Sequence, residues 1–423
     1  MGKFAAMILA GGRGKRMGML CDARPKPVLP FAGRFRVIDF SLSNCVHSQI
    51  DTAGVLTDYK RSQIASYLTQ WDLTNTSKTN FQLLEPMTGS YKGTADAVYQ
   101  NRDYISRTAA ENVLILAGDH VYRMDYRDML AFHERVKADV TIGVIRVPIE
   151  DTYRFGTVIS DSDGEITDFV EKARTPLSNL ASMGIYIFNK DALLWYLRED
   201  ATRRDSPHDF GYAVIPSMVK REKICAYEYK GYWQDIGTVE AYFTANMELV
   251  AEKPILSLNS SRPVLTVEQS LSPDTMSGHG LIRNSLVSKG CVIKGFVENS
   301  ILSPGVWVEE GAVVKNSVVM ANTFIGYHSM VHHCVLDEGV NIGKFCYIGF
   351  GGGHFSEDRD ITVLGTGVRV PPHTAIGRNC KILPYMKPDD FNSNVIVSGT
   401  TAQLVKQMRQ KLIPTASSGF SLL

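Results

Sequence analysis

Aliphatic residues recur at every fifth or sixth position through the second half of this 423-residue chain. This step matches neither the 3.6-residue period of an α-helix nor the alternation of a half-buried strand. Glycine and asparagine residues stand between the aliphatic positions, where they favour tight turns. A short step sustained over so many turns predicts a parallel β-helix, whose coils stack one aliphatic residue per face. The positions that define the repeat are Leu286, Val292, Val297, Leu302, Val308, Val313, Val319, Ile325, Val331, Leu336, Ile342 and Ile348.

Changes in composition set the limits of this repeat. We place the β-helix, of the left-handed hexapeptide type, at residues 281–391. Before it, residues 253–280 are rich in proline and serine and are predicted to form a linker or an extended crossover. After it, residues 392–423 are predicted to be a tail that is helical over Ala402–Leu412.

Residues 1–252 show a different pattern, in which apolar strand-like runs alternate with helical patterns. This alternation predicts an α/β fold, a doubly wound sheet of mixed or parallel strands. Ligands of such sheets bind beyond the carboxyl ends of the strands. The predicted strands include Ala53–Thr57, Val113–Ala117, Val140–Val147, Thr157–Ser160 and Gly184–Phe188, and the predicted helices are Gln63–Gln70, Ala95–Thr108 and Tyr126–Val136.

A basic, glycine-rich loop directly follows the first apolar run, Ala6–Ala10. Glycines allow a backbone to approach an anionic ligand closely, and we predict that the loop leads into a helix whose amides face a phosphate. The spacing fits neither the dinucleotide-binding G-x-G-x-x-G motif nor the ATP-binding G-x-x-x-x-G-K-[ST] motif. An ordinary turn between a strand and a helix is the alternative. The residues concerned are Gly11, Gly12, Gly14, Lys15 and Arg16, followed by Lys26 within a Pro-Lys-Pro sequence.

Composition excludes several classes of function. The net charge of +1 provides no overall basic field, so we expect no nucleic-acid partner. The seven cysteines are spread singly along the chain, which is typical of buried thiols in a reducing compartment. No apolar stretch approaches the length of a membrane span, and the N-terminus has no signal-peptide pattern. We therefore expect a cytoplasmic protein that does not bind membranes.

The loop and a collinear series of motifs resemble the sugar-1-phosphate nucleotidylyltransferases, whose signature reads G-G-x-G-x-R-[LM] before P-K-P. Together they are similar to the bacterial glucose-1-phosphate adenylyltransferase (ADP-glucose pyrophosphorylase) family. The resemblance implies transfer of AMP from ATP to α-D-glucose 1-phosphate, the first committed step of glycogen synthesis. It also implies Mg²⁺ as cofactor and a homotetramer. The motifs are Arg36–Phe40, Gly93–Val98, Ala117–His120, Phe169–Lys172, Ala181–Tyr186, His208–Gly211 and Tyr232–Thr238.

The chemistry of such a transfer explains the residue types in these motifs. Both substrates are anionic and the attacking phosphate is already ionised, so catalysis rests on positioning and charge stabilisation. Asp119 follows an apolar strand, where a carboxylate is a natural Mg²⁺ ligand. The resemblance implies that Asp235 is the second metal ligand. It assigns catalysis to Arg16, Lys26 and Asp119, with Arg16 and Lys26 on the triphosphate.

The resemblance also implies binding roles for further residues. The residues that it assigns to nucleotide binding are Gly11, Gly12, Gly14, Lys15, Gly93 and Thr94. Those that it assigns to glucose 1-phosphate are Tyr91, Gly156, Glu171, Lys172 and Ser182. Arg24 and Arg36 match positions associated with an inhibitor phosphate, and we expect an effector near them, where the two domains meet.

Three rival functions stay open. A transferase of the same fold that uses UTP, GTP or dTTP would keep the glycine loop and Asp119. A non-catalytic regulatory paralogue would be expected to lose Lys26, Asp119 or Lys172, and all three are present. A hexapeptide acyltransferase would place a catalytic histidine in the β-helix, where His354 is the candidate. The chain departs from the family pattern at Lys15, where Thr is common.

Overall fold

A computed structural model describes residues 4–75, 77–176, 178–258, 261–267, 279–351 and 360–402. The strands of the first domain are β1 (Phe4–Leu9), β2 (Pro30–Phe31), β3 (Phe35–Arg36), β4 (Thr52–Leu56), β5 (Asn80–Leu84), β6 (Asn112–Ala117), β7 (His120–Tyr122), β8 (Val140–Arg146), β9 (Gly156–Ser160), β10 (Ile166–Glu171), β11 (Leu180–Asn189), β12 (Ile224–Glu228) and β13 (Trp233–Asp235). The main sheet has the order β10-β9-β11-β6-β1-β4-β5, and β8 and β12 continue it from β11. Strands β6, β1, β4 and β5 are parallel, whereas β11 is antiparallel to β6. The predicted mixed α/β sheet is confirmed.

Helices cover this sheet, and the predicted helices Gln63–Gln70 and Tyr126–Val136 are both present. The predicted helix Ala95–Thr108 is divided at Asn101, whose side chain donates to the Ala97 carbonyl and to the Tyr91 hydroxyl. No helix within the described ranges is long and apolar enough to cross a membrane. The helices are α1 (Met19–Asp22), α2 (Ile38–His47), α3 (Arg61–Thr74), α4 (Thr94–Gln100), α5 (Arg102–Arg107), α6 (Tyr126–Val136), α7 (Lys190–Thr202), α8 (Ile215–Met218) and α9 (Val239–Met247).

The helix predicted directly after the glycine-rich loop is wrong. The chain instead makes a 3-10 turn over Lys15–Met17 and then the four-residue helix α1. Gly14 and Gly18 have φ values of 62° and 52°, a left-handed backbone that interrupts helical hydrogen bonding. A Cβ on Gly14 would lie 2.9 Å from the Cys21 sulfur, so this turn requires glycine.

The second domain is the predicted parallel β-helix. Within the described part of residues 279–402, the strands stack in register to form three parallel sheets, as in the left-handed hexapeptide fold. As far as Ile382, each strand pairs with the third strand after it where a pairing continues. Its strands are β14 (Leu281–Arg283), β15 (Leu286–Val287), β16 (Val292–Ile293), β17 (Phe296–Glu298), β18 (Ile301–Leu302), β19 (Trp307–Val308), β20 (Val313–Lys315), β21 (Val318–Val319), β22 (Phe324–Ile325), β23 (Met330–His332), β24 (Cys334–Leu336), β25 (Asn341–Ile342), β26 (Tyr347–Ile348), β27 (Thr362–Leu364), β28 (Arg369–Val370), β29 (Ala375–Ile376), β30 (Lys381–Ile382), β31 (Val395–Ile396) and β32 (Thr401–Ala402).

Most of the predicted aliphatic positions form the stacked interior of the β-helix. Three of them differ: Ile293 and Val314 belong to the interior cluster and Val287 packs against it, whereas their neighbours, which the repeat selects, are only partly buried and lie outside it. These neighbours are Leu286, Val292 and Val313. Successive side chains of a strand point to opposite faces, so a shift of one residue exchanges the inner and outer positions.

The β-helix continues beyond the boundary predicted at residue 391. Strands β31 and β32 pair with β29 and β30, so residues 395–402 contribute to coils rather than to a tail. Ala402, the first residue of the predicted helix Ala402–Leu412, lies in β32. The rest of that helix and His354 lie outside the described residues.

The two domains share a hydrophobic core. Phe31 of the first domain belongs to the same buried cluster as Ile301 and Met320 of the β-helix. Part of the predicted linker is docked on the first domain, since the Leu265 amide donates to the Ser43 hydroxyl at 2.8 Å. The β-helix is therefore packed against the catalytic half of the chain.

A buried ion cluster reinforces this junction. Arg24 donates to Asp337 Oδ1 at 2.7 Å and to Glu338 Oε2 at 3.0 Å, and Arg36 donates to Glu338 Oε1 at 3.2 Å. Burial opposes the charge of Arg24, but the Asp337 and Glu338 carboxylates raise its pKa above the ordinary value. The Asp337 side chain is fully buried.

The variant Arg24→Met tests this cluster. It would leave the Asp337 carboxylate buried without its partner, which costs about 3–5 kcal/mol. We expect the thermal unfolding midpoint to fall by about 5 °C or more. The control is Arg61→Met, which removes an ion pair to Glu85 whose arginine is 53% exposed and which is worth under about 1 kcal/mol. Equal unfolding midpoints for the two variants would contradict the assignment.

Candidate active site

Two carboxylates meet at the carboxyl ends of the central strands. Asp119 lies in the turn between β6 and β7, and Asp235 ends β13. Strand β13 pairs antiparallel with β7 in a register that sets Asp235 opposite His120. This pairing brings Asp235 beside Asp119 although the two residues are far apart in the sequence.

The ammonium group of Lys26 joins these carboxylates. Lys26 Nζ donates to Asp119 Oδ2 at 2.8 Å and to Asp235 Oδ1 at 3.1 Å. Burial opposes the charge of Lys26, but the two carboxylates raise its pKa above the ordinary value. Burial also opposes the charge of Asp235, yet Lys26, His120 and Arg16 hold the pKa of this carboxyl at about 2. Lys26 and Asp235 are therefore both charged at neutral pH.

His120 lies next to this arrangement. Its Nε2 atom is 3.6 Å from Asp119 Oδ1 and 3.7 Å from Asp235 Oδ1. The His120 ring packs edge-on against Trp233 at 5.2 Å, and Trp233 packs against Phe155 at 5.2 Å. His120 Nδ1 is buried and has no hydrogen-bond partner in the described structure.

A cavity of about 290 Å³ opens beside the carboxylates. Its lining combines cations, which suit phosphate oxygens, with acids and a hydroxyl, which suit sugar hydroxyls. The predicted site residues in this lining are Arg16, Thr94, Asp119, Gly156, Glu171, Lys172, Ser182 and Asp235.

Two glycines make room for Glu171 in this cavity. A Cβ on Gly156 would lie 2.6 Å from Glu171 Oε2, and a Cβ on Gly211 would lie 2.5 Å from the same atom. Glu171 Oε1 accepts a hydrogen bond from Lys172 Nζ at 2.7 Å. Burial opposes the charge of Lys172, but this hydrogen bond raises its pKa above the ordinary value. The Lys172 side chain is 42% exposed and faces the cavity as a cation.

The other predicted residues lie around the cavity rather than in its described lining. Lys26 contacts the carboxylates from below the surface, at 5% exposure. Gly11 and Tyr91 lie together, since a Cβ on Gly11 would be 3.5 Å from Tyr91 Cδ2. The residues outside the described lining, apart from Lys26, are Gly11, Gly12, Gly14, Lys15, Tyr91 and Gly93. Their ligand roles stay predictions.

Arg24 and Arg36 lie where the two domains meet, as expected. Both guanidinium groups are bonded to β-helix carboxylates in this structure. An effector anion would have to compete with Asp337 and Glu338 for them, so the effector role also stays a prediction.

The cavity residues that the sequence analysis did not assign to the site include His120, Arg154, Asp209 and Trp233. His120, Asp209 and Trp233 lie inside the motifs quoted above, so the sequence contained the information needed to predict them. Arg154 lies outside those motifs, two residues before the predicted site residue Gly156. Asp209 Oδ2 accepts from the Thr94 hydroxyl at 2.9 Å. Arg154 lies over the Phe155 ring, and its Nη2 atom is buried without a hydrogen-bond partner among the described residues.

The residues present fit a magnesium ion. Asp119 and Asp235 converge on one point, as their shared bonds to Lys26 show. In the described ranges, no group of three or more His, Cys, Asp or Glu residues could hold a metal ion. Mg²⁺ is usually held by one or two carboxylates, with substrate phosphates and water completing its shell. Two converging carboxylates beside a cavity lined with cations therefore suit this ion.

The fold and the site define a sugar nucleotidyltransferase with an appended hexapeptide β-helix. The nucleotidyl transferase family model matches residues 5–252. The GlmU-like C-terminal hexapeptide model matches residues 270–370. The first match covers more than half of the chain, so membership of the nucleotidyl transferase family is established.

Similar proteins of known name identify a more specific family within the nucleotidyl transferases. The glucose-1-phosphate adenylyltransferase of Acetivibrio thermocellus is 40% identical over 92% of this chain and 95% of its own length. The enzyme of the same name from Desulfitobacterium hafniense strain DCB-2 is 41% identical over 88% of this chain and 96% of its own. The enzyme of this name from Thermomicrobium roseum is 42% identical over 95% of this chain and 98% of its own length. The chain belongs to the glucose-1-phosphate adenylyltransferase family.

Proposed function

We propose that this chain transfers AMP from ATP to α-D-glucose 1-phosphate and releases pyrophosphate and ADP-glucose. The observation that carries the proposal is the assembly of Lys26, Asp119, Asp235 and Lys172 around one cavity. Relatives that match nearly the whole chain bear the name of this activity. A non-catalytic paralogue would have no need to keep this arrangement.

The two substrates divide the charged groups between them. Lys172 binds the phosphate of glucose 1-phosphate. Glu171 accepts hydrogen bonds from the sugar hydroxyls, and the Ser182 hydroxyl can donate to them or accept from them. Arg16 and Lys26 offset the charge of the triphosphate, as expected for a transfer governed by electrostatics. Asp119 and Asp235 would hold Mg²⁺, which when bound supplies positive charge to the nucleotide phosphates.

Arg154 contributes a further cation to substrate binding. Lys172 is already bonded to Glu171 and Lys26 to two carboxylates, whereas Arg154 retains an unused donor beside the cavity. An anionic substrate satisfies that donor. We place Arg154 on a phosphate oxygen of glucose 1-phosphate.

We extend the proposal to the assembly of the protein and to the use of its product. The β-helix exposes large side chains that a solitary monomer rarely leaves in water, namely Trp307, Tyr327, Phe345, Tyr347 and Tyr385. These side chains support self-association through this domain, and we propose the homotetramer that the family resemblance implies. ADP-glucose would serve as the activated glucose for glycogen synthesis in the cytoplasm.

A nucleotide-preference assay tests the proposed function. With Mg²⁺ and glucose 1-phosphate, we expect ADP-glucose and pyrophosphate to form faster from ATP than any product forms from UTP, GTP or dTTP. The assay measures pyrophosphate release together with the sugar nucleotide by mass spectrometry. Equal or faster turnover with another nucleotide would refute the adenylyl assignment.

Two variants separate binding from chemistry. Lys172→Gln removes a charge that meets the sugar phosphate in ground and transition states alike, so we expect the KM for glucose 1-phosphate to rise about tenfold or more. Asp119→Asn should lower kcat about 100-fold, with that KM little changed. Steady-state kinetics with each substrate varied measures both effects. An unchanged KM in Lys172→Gln would remove this residue from the sugar-phosphate site.

A further inference from the structure

One corner of the β-helix carries a row of polar side chains, one from each successive coil. Asn284, Asn299, Asn316 and His333 occupy it with left-handed backbone, and Asn379 repeats the conformation later. The Asn284 amide donates to Asn299 Oδ1 at 2.8 Å. His332, Asp360 and Arg378 complete this corner row.

The corner row forms one wall of an interdomain cavity of about 490 Å³. The opposite wall is apolar and comes from the end of the first domain, where Phe243, Met247 and Val250 line it. The Phe243 ring contacts the His333 ring edge-on, with centroids 4.7 Å apart. None of the described residues that line this cavity also lines the active site.

Two charged groups in this wall have unused hydrogen-bonding capacity. Asp360 is 7% exposed, and its Oδ2 atom has no hydrogen-bond partner within the described ranges. Arg378 Nε is likewise buried and unpartnered. The two residues belong to neighbouring coils, because the Asn379 amide donates to the Asp360 carbonyl at 3.1 Å. Leaving such groups unsatisfied costs about 1–3 kcal/mol each, so the site has a donor and an acceptor ready for a ligand.

The charges of the cavity select a class of ligand. The carboxylates of Asp360 and Glu252 offset the guanidinium of Arg378, so the lining has no excess positive charge for a polyphosphate. A hydroxyl group can donate to Asp360 and also accept from Arg378. The asparagine amides of the corner row offer the same pairing of donors and acceptors. Neutral ligands with many hydroxyl groups match this lining.

The length of the corner row favours an extended ligand over a compact one. Neighbouring strands of a sheet lie about 4.8 Å apart, so the three coil steps from Asn316 to Arg378 span about 14 Å. A free amino acid has its ammonium and carboxylate groups too close together to use this span. A chain of sugar rings places hydroxyl groups along it and turns an apolar face to Phe243.

We propose that this cavity binds a short neutral oligosaccharide, at a site separate from the one that carries out nucleotidyl transfer. Asp360 accepts from the sugar hydroxyls, Arg378 donates to them, and the rings pack against Phe243. The site does not depend on the proposed function, because it shares no described lining residue with the active site.

The test is saturation-transfer difference NMR on the full-length protein, with maltotriose as the probe. We expect saturable binding to the wild type and a Kd about tenfold higher in Asp360→Asn and in Arg378→Gln, since each loses a hydrogen bond to a charged group. Two controls should bind as the wild type does. Asp389→Asn changes an exposed acid of the same domain, and Glu171→Gln changes the active site.

Unfolding temperatures verify that the variants are folded. Asp360→Asn should be at least as stable as the wild type, because it removes a buried charge whose Oδ2 atom has no hydrogen-bond partner in the described structure. The proposal is overturned if maltotriose shows no saturable binding, if Asp360→Asn and Arg378→Gln both bind it as well as the wild type, or if binding is lost in Glu171→Gln instead. Saturable binding of glycine or pyrophosphate that displaces the sugar would also overturn it.

Discussion

The active site depends on one buried ammonium group, that of Lys26. Asp119 and Asp235 would repel each other without a cation between them, and the bonds from Nζ hold both in place. Two residues earlier, Arg24 is bonded to carboxylates of the β-helix. The segment 24–26 is therefore fixed at one end by the second domain and at the other by the carboxylates of Asp119 and Asp235. Packing of the domains and geometry of the site rest on the same short stretch of chain.

The distribution of charge in the cavity explains how it accommodates two anionic substrates. Part of the positive charge at this site is balanced by acids of the protein, since Lys172 is bonded to Glu171 and Lys26 to two carboxylates. The protein therefore folds around several charges that already satisfy one another. Preorganised groups of this kind need little reorganisation when charge develops in the transition state.

Local patterns in the sequence predicted what local physics determines. The period of aliphatic residues predicted the β-helix, and Asp119 was recognisable because it follows an apolar strand. The period could not predict which of the adjacent residues Val292 and Ile293 points into the interior, because that depends on the register of the coils. The helix predicted after the glycine loop failed because Gly14 and Gly18 take left-handed conformations. The bond from Arg24 to Asp337 joins distant parts of the chain and leaves no local signal.

The most direct test of the central role of Lys26 is the turnover of Lys26→Met at saturating ATP and glucose 1-phosphate. The exposed Lys220 supplies the matched control, Lys220→Met. If Lys26 holds Asp119 and Asp235 in place, the kcat of Lys26→Met falls about 100-fold or more, while its circular dichroism spectrum stays that of the wild type. The control Lys220→Met keeps the activity of the wild type. A folded Lys26→Met enzyme with the kcat of the wild type would contradict this account.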